Sequence, residues 1–142
     1  MHLLLSFIGD LTDKDIDSTI NQTLSKAVWE FPRSIKSRYL KTLITGYIKR
    51  KTWKQFFFCP GAEVFQEKEF ITSRGQTKRI DRLIVKDSLV LIVDYKSSPD
   101  LKEENLLQMR EYIALAKEIY LNKAIKGYFL YFDRPDIEEI NG

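Results

Sequence analysis

The residues from Gly75 to Ser97, GQTKRIDRLIVKDSLVLIVDYKS, constrain this chain more than any other stretch. Val, Ile and Leu fill 83–85 and 89–93, the composition that β-strands favour. Asp87-Ser88 marks a tight turn between the two runs. A turn centred there pairs Leu83 with Ile92 and Arg82 with Val93, and it sets Asp81 opposite Asp94. Directly opposed side chains stand about 5 Å apart at Cβ. Lys96 lies two residues beyond Asp94, so it leaves the same face of its strand. By the same alternation that face carries Leu83, Val85, Val90 and Ile92.

Two carboxylates and an ammonium at the end of an apolar face are costly unless something compensates them. A divalent metal ion between the two acids would do so. A polar cluster in which Lys96 bridges both acids would do so as well, and the spacing alone leaves both readings open.

The wording around these residues narrows the choice. G-x-x-x-R-I-D-R-L-I from Gly75, then I-V-D-Y-K-S from Ile92, then Gln108 and Tyr112 four apart, resembles the nuclease domain of the RecB/AddA helicase–nucleases, within the PD-(D/E)XK superfamily. The resemblance extends to the opening M-H-L-L-L-S and to G-Y-F-L-Y-F from Gly127, and so covers nearly the whole chain. It implies an α/β fold of the restriction-endonuclease type, with a central mixed sheet of about four to five strands flanked by helices. It implies one nuclease domain over 1–142, mainly helical over 1–60 and with a sheet core over 61–142, cut from a larger helicase–nuclease.

The implied chemistry is metal-dependent hydrolysis of DNA phosphodiester bonds, in DNA end processing and recombinational repair, beside a fused or associated helicase motor. Asp81, Asp94, the main-chain carbonyl of Tyr95 and His2 would hold Mg2+ or Mn2+. Carboxylate and carbonyl oxygens suit both ions, and an imidazole tilts the set toward Mn2+. Lys96 would sit by the scissile phosphate, and Gln108 and Tyr112 would orient the DNA phosphate or the attacking water. Glu67 matches a recurrent acid of the family's first strand and is expected as a supporting residue. His2 is the only histidine. The family's helix begins before that position, so this chain reads as a fragment or as a truncated site, and a helix starting at Met1 would lack a cap. Two other readings share the fold: an inactive relative that binds DNA or a protein partner, and a site-specific endonuclease.

Composition bounds the rest. At 142 residues, 44% hydrophobic and 30% charged, the chain is long enough for one domain with a core and is not a disordered sequence. No apolar run approaches the roughly 18 residues of a membrane span, and no secretory pattern opens the chain. A single cysteine, Cys59, excludes an internal disulfide and a Cys-rich zinc site, which suits the cytoplasm. There is no glycine-rich phosphate loop, so ATP hydrolysis is not expected. The net charge of +3 is mild. It is concentrated in Arg33, Lys36, Arg38, Lys41, Lys49, Arg50, Lys51 and Lys54, a run without an acid. Such a run can follow a phosphate backbone or form a solvated helix face. Trp53 and Phe56 to Phe58 either stack on unpaired bases or, the favoured reading, pack into a core.

Periodicity places the elements. Helices are expected over 1–8, stopped by Gly9; from Thr12-Asp13 to about Trp29; and over 33–51, with Ile35, Tyr39, Leu43, Tyr47 and Ile48 on one side. After a turn at Pro60-Gly61, strands are expected over 63–72, 76–86 and 89–96. A helix over 101–121 lays Leu101, Asn105, Gln108, Tyr112, Leu115 and Ile119 against the sheet. A strand over 125–132 then lies parallel to 89–96, and 137–140 adds a short edge.

Overall fold

The computed structural model describes residues 1–11, 16–27, 37–98, 102–134 and 136–141. It is a mixed α/β protein with a five-stranded mixed sheet. The chain divides into two compact units, Met1–Pro60 and Gly61–Gly142. Among the described residues no helix is long and apolar enough to cross a membrane.

The first unit is helical: α1 (His2–Ser6), α2 (Ile16–Ala27), α3 (Ser37–Ile48) and α4 (Lys54–Phe57). Ile16, Ile20 and Leu24 recur at helical spacing on α2, Leu40, Ile44 and Ile48 do so on α3, and all six are buried. Lys41 of α3 reaches Asp17 of α2 at 3.2 Å. The helix expected to run to residue 51 stops at Ile48. There the Trp53 N–H turns back to the Arg50 carbonyl and starts α4. Tyr39, expected on the inner side of α3, is exposed; Leu40 takes its place. The expected helical residues 12–15, 28–29 and 33–36 lie outside the described residues, and Arg33, Ile35 and Lys36 with them.

The aromatic run belongs to the core. Trp53, Phe56 and Phe57 are fully buried, and Trp53 stacks on Tyr47 at 5.3 Å. None of the three offers a face to a nucleic-acid base. Of the basic run, Arg38, Lys49, Lys51 and Lys54 are exposed. Arg50 lies over the Tyr47 ring at 4.3 Å.

The second unit holds the sheet, ordered β1 (Glu63–Ile71), β2 (Thr77–Val85), β3 (Leu89–Lys96), β4 (Ala124–Tyr131) and β5 (Ile137–Ile140). Neighbours are antiparallel except β3 and β4, which run parallel across α5 (Lys102–Ile119). The register of β2 on β3 is the one a turn at Asp87-Ser88 dictates: Arg82 faces Val93 and Leu83 faces Ile92. The Lys86 N–H closes that turn on the Leu89 carbonyl at 2.8 Å, and the Lys123 ammonium donates to the carbonyls of Lys86 and Asp87. Gly75, at φ +75°, turns the chain between β1 and β2.

One core of this unit joins Leu83, Val90, Ile92, Ile125 and Phe129 to Met109, Ile113 and Ala116 of α5. The helix is therefore rotated from its expected stripe. Leu115 is only half-buried and Ile119 is 48% exposed, while Met109 and Ile113 face the sheet. Gly127 of β4 explains the rotation. A Cβ there would stand 2.5 Å from Met109 Sδ, 2.7 Å from its Cγ and 3.1 Å from Ile113 Cδ1. The missing side chain is the space that Met109 fills.

Simple alternation also breaks in β2. Ile80 and Leu83 are an even and an odd position, yet both join this core. On β1 the same holds for Phe65 and Phe70. The change of phase falls at Glu67, whose φ is +49°, and the rung Glu67–Asp81 is missing from a ladder whose register is the same on both sides. Asp81 is thus not simply one more residue of the face that carries Leu83 and Val85.

Gly127→Val should lower stability by about 1–3 kcal/mol, because an isopropyl group enters space that Met109 and Ile113 already fill. Urea unfolding of the two proteins measures the difference, and an unchanged midpoint would show that α5 does not depend on the gap.

Candidate active site

Four elements of the sheet unit bring functional side chains to one end of β3. β2 supplies Asp81, β3 supplies Asp94 and Lys96, α5 supplies Gln108 and Tyr112, and β1 supplies Glu67. The β2–β3 ladder ends at Arg82 and Val93, one rung before the two aspartates. Beyond it the Tyr95 N–H donates to Asp81 Oδ2 at 2.9 Å, so a side chain takes a donor that a continued ladder would have used.

Asp94 is 6% exposed. Lys96 Nζ lies 2.6 Å from its Oδ2, an ion pair without the alignment of a hydrogen bond. Burial first, and then the neighbouring Asp81 carboxylate, push the Asp94 carboxyl up from 3.8 to about 7, against the opposing pull of Lys96. Near neutrality this carboxyl is therefore only half ionised.

From Lys96 a line of donors runs to the backbone. The ammonium donates to Gln108 Oε1 at 3.2 Å, Gln108 Nε2 donates to the Tyr112 hydroxyl at 3.0 Å, and that hydroxyl donates to the Arg79 carbonyl at 2.8 Å. Gln108 and Tyr112 are four apart on α5, hence neighbours on its surface. Burial, then Asp94 and Asp81, raise the Tyr112 hydroxyl to about 12, so it keeps its proton and remains a donor.

Five sequence-predicted residues, Asp81, Asp94, Lys96, Gln108 and Tyr112, thus lie in one connected set, and Tyr95 joins it through its main chain. By strand alternation the Tyr95 carbonyl points the same way as its N–H, toward β2. The next carbonyl, that of Lys96, turns toward β4, where it accepts from the Phe132 N–H at 3.0 Å. Glu67 stands closer to the set than a remote supporting residue: one of its carboxylate oxygens is within 4.8 Å of one of Asp81's. His2 is half-buried on α1 of the helical unit.

Two arginines flanking Asp81 were not singled out from the sequence. Arg79 Nε pairs with Glu67 Oε2 at 2.8 Å. Arg82 is fully buried, with its positive charge close enough to the Tyr95 hydroxyl to act on it. The signal was available in R-I-D-R itself, since a charged residue two positions from a buried aliphatic one in a central strand needs a partner.

The comparisons with known proteins add little. No family model and no curated protein matches the sequence. A solved structure titled "Crystal structure of SSO0001" aligns with 97% of this chain and 65% of its own, at 16% identity and a TM-score of 0.35, a likeness that supports no argument about fold or function.

The raised Asp94 carboxyl fixes a stability prediction and its sign. The folded protein holds this proton up to about pH 7, whereas the unfolded chain gives it up near 3.8. Its contribution to stability is therefore full below about pH 4 and is lost as the pH rises toward 7. Asp94→Asn should gain stability relative to the wild type between pH 5 and pH 8, read by urea unfolding at the two values without divalent cations; a pH-independent difference would contradict the shift.

Proposed function

We propose that the sheet unit carries a PD-(D/E)XK-type site that hydrolyses DNA phosphodiester bonds with Mg2+ or Mn2+. The observation that carries this reading is a buried carboxyl, Asp94, held beside a second carboxylate and an ammonium. Such a group is destabilising where it stands, and such perturbed groups concentrate at functional sites.

The donor set fits a hard divalent cation. Asp81, Asp94 and the Tyr95 carbonyl offer oxygen alone, the ligand type that Mg2+ and Mn2+ take. Asp94 Oδ2 is buried, and the Lys96 ammonium at 2.6 Å is the positive charge that holds it. When bound, the ion supplies neutralisation of the phosphate's charge and a lowered pKa for water.

The chain's own residues have separate tasks. Hydrolysis forms one new P–O bond to water and breaks the P–O bond to a sugar oxygen, which takes up a proton. Negative charge grows on the phosphoryl oxygens meanwhile. The Lys96 ammonium is the mobile positive group that answers it, donating to a phosphate oxygen or holding the nucleophile. Gln108 Oε1 restrains that ammonium at 3.2 Å. Tyr112 fixes which way the amide faces, because its proton is committed to the Arg79 carbonyl and leaves an oxygen to accept from Gln108 Nε2. The family resemblance adds the setting: DNA end processing and recombinational repair in the cytoplasm, beside a fused or associated helicase motor.

Incubation with labelled linear and circular DNA, with and without Mg2+ or Mn2+, tests the reading. Cleavage should require the cation. Asp94→Ala and Lys96→Ala should each lower it by about a hundredfold or more while leaving the circular dichroism spectrum unchanged. Cation-dependent cleavage that survives either change would refute the assignment. Because Asp94 must shed its proton to bind the ion, Mn2+ affinity measured by calorimetry should fall by up to about tenfold per pH unit below 7.

A further inference from the structure

Arg79 stands next to the carboxylates, and the chemistry above leaves its side chain unused. It precedes Asp81 by two residues on β2, and its side chain is 60% exposed. Among the described residues its guanidinium has one partner, Glu67, engaged through Nε at 2.8 Å. That pairing holds the guanidinium at its Nε edge and leaves the far edge for something else. The residue is anchored at one other point, and its holder places it beside the acids. Its carbonyl accepts the Tyr112 hydroxyl at 2.8 Å, and its holder, Glu67, has a carboxylate oxygen within 4.8 Å of one of Asp81's.

Stability does not account for this arrangement. A partly exposed Arg–Glu pair contributes little to folding, and β1 and β2 already pair along Glu63–Gln66 and Lys68–Ile71. Glu67 moreover takes a left-handed backbone conformation, φ +49°, which is costly for a residue with a side chain. Such costs persist where a side chain has a task. A planar fork held at one edge, with its other donors open beside an anion-processing site, suits a phosphate group.

We propose that Arg79 is a phosphate clamp for the DNA strand entering the site. It grips a backbone phosphate adjoining the one held at Asp81 and Asp94, and Glu67 is the positioning residue that aims it. This deepens the hydrolase reading and rests on it for the location of the strand.

The test is binding of a fluorescent single-stranded oligonucleotide, read by anisotropy across a salt series without divalent cations. Arg79→Ala should weaken binding by about tenfold. It should also reduce the slope of log affinity against log salt by about 0.7, the loss of one phosphate contact on a single strand. Arg79→Lys should retain the slope and lose part of the affinity, which separates a lost fork from a misfolded protein. Glu67→Gln should alter affinity in the wild type and have no further effect in combination with Arg79→Ala. Unchanged affinity and slope in Arg79→Ala overturn the clamp. If the wild type binds DNA through Arg79 but cleaves none, the hydrolase fails and the clamp stands. If it cleaves with affinity, slope and KM indifferent to Arg79, the clamp fails and the hydrolase stands.

Discussion

Asp94 places a carboxyl where the sheet leaves almost no water, beside the like charge of Asp81. A shift from 3.8 to about 7 corresponds to a free energy of the order of 4 kcal/mol against the ionised form. That is a sizeable share of what a domain of this size has to spare. That figure already includes the opposing pull of Lys96 at 2.6 Å, because one ammonium does not cancel two carboxylates and their lost hydration. The cluster persists because the strand under it is stiff. Residues 90–95 of β3 are buried without interruption, β2 pairs the strand up to Val93, and β4 pairs it through Asp94 and beyond. Moving Asp94 outward would drag a central strand with it.

Much of this was legible in the residues. A short turn with long apolar strands on either side permits one register that buries both, so Asp87-Ser88 was enough to bring Asp81 near Asp94. The continuous run over 89–93 marked a strand, and the structure buries it on both faces. That Gln108 and Tyr112 are neighbours followed from their helical spacing, and their place beside the acids from the resemblance. Trp53, Phe56 and Phe57 sit in a core, as dense aromatic runs usually do.

What escaped depends on contacts between elements that are distant in sequence. The rotation of α5 is set by Gly127, a residue that in a sequence looks like a weak point in a strand. Its meaning appears only when Met109 is seen to occupy the missing side chain's place. The pairing of Arg79 with Glu67 escaped for a similar reason. Three acids, Glu63, Glu67 and Glu69, share one strand parity, and no spacing rule distinguishes them. The left-handed backbone of Glu67 does so, and that conformation has no signature in a residue type that normally avoids it.

The change of phase at Glu67 and Asp81 also explains how a sheet can hold its core and open a site in the same strands. Had β2 alternated regularly, Ile80 and Leu83 would lie on opposite faces, and one of them would leave the core that both now share. The phase shift keeps both and turns the two residues between them to other tasks. Arg82 turns into the interior, where its charge acts on the Tyr95 hydroxyl, and Asp81 accepts from the Tyr95 N–H. That N–H can serve only one acceptor. By accepting it, the Asp81 carboxylate takes the place of the backbone carbonyl that the next rung of the ladder would have supplied, and β2 and β3 part there. In the proposed reading, the parted strands give the site its third oxygen, because the Tyr95 carbonyl points into the same opening as its N–H. The side chain that ends the ladder and the side chain that binds the cation are then one residue, so the sheet cannot close without losing the site.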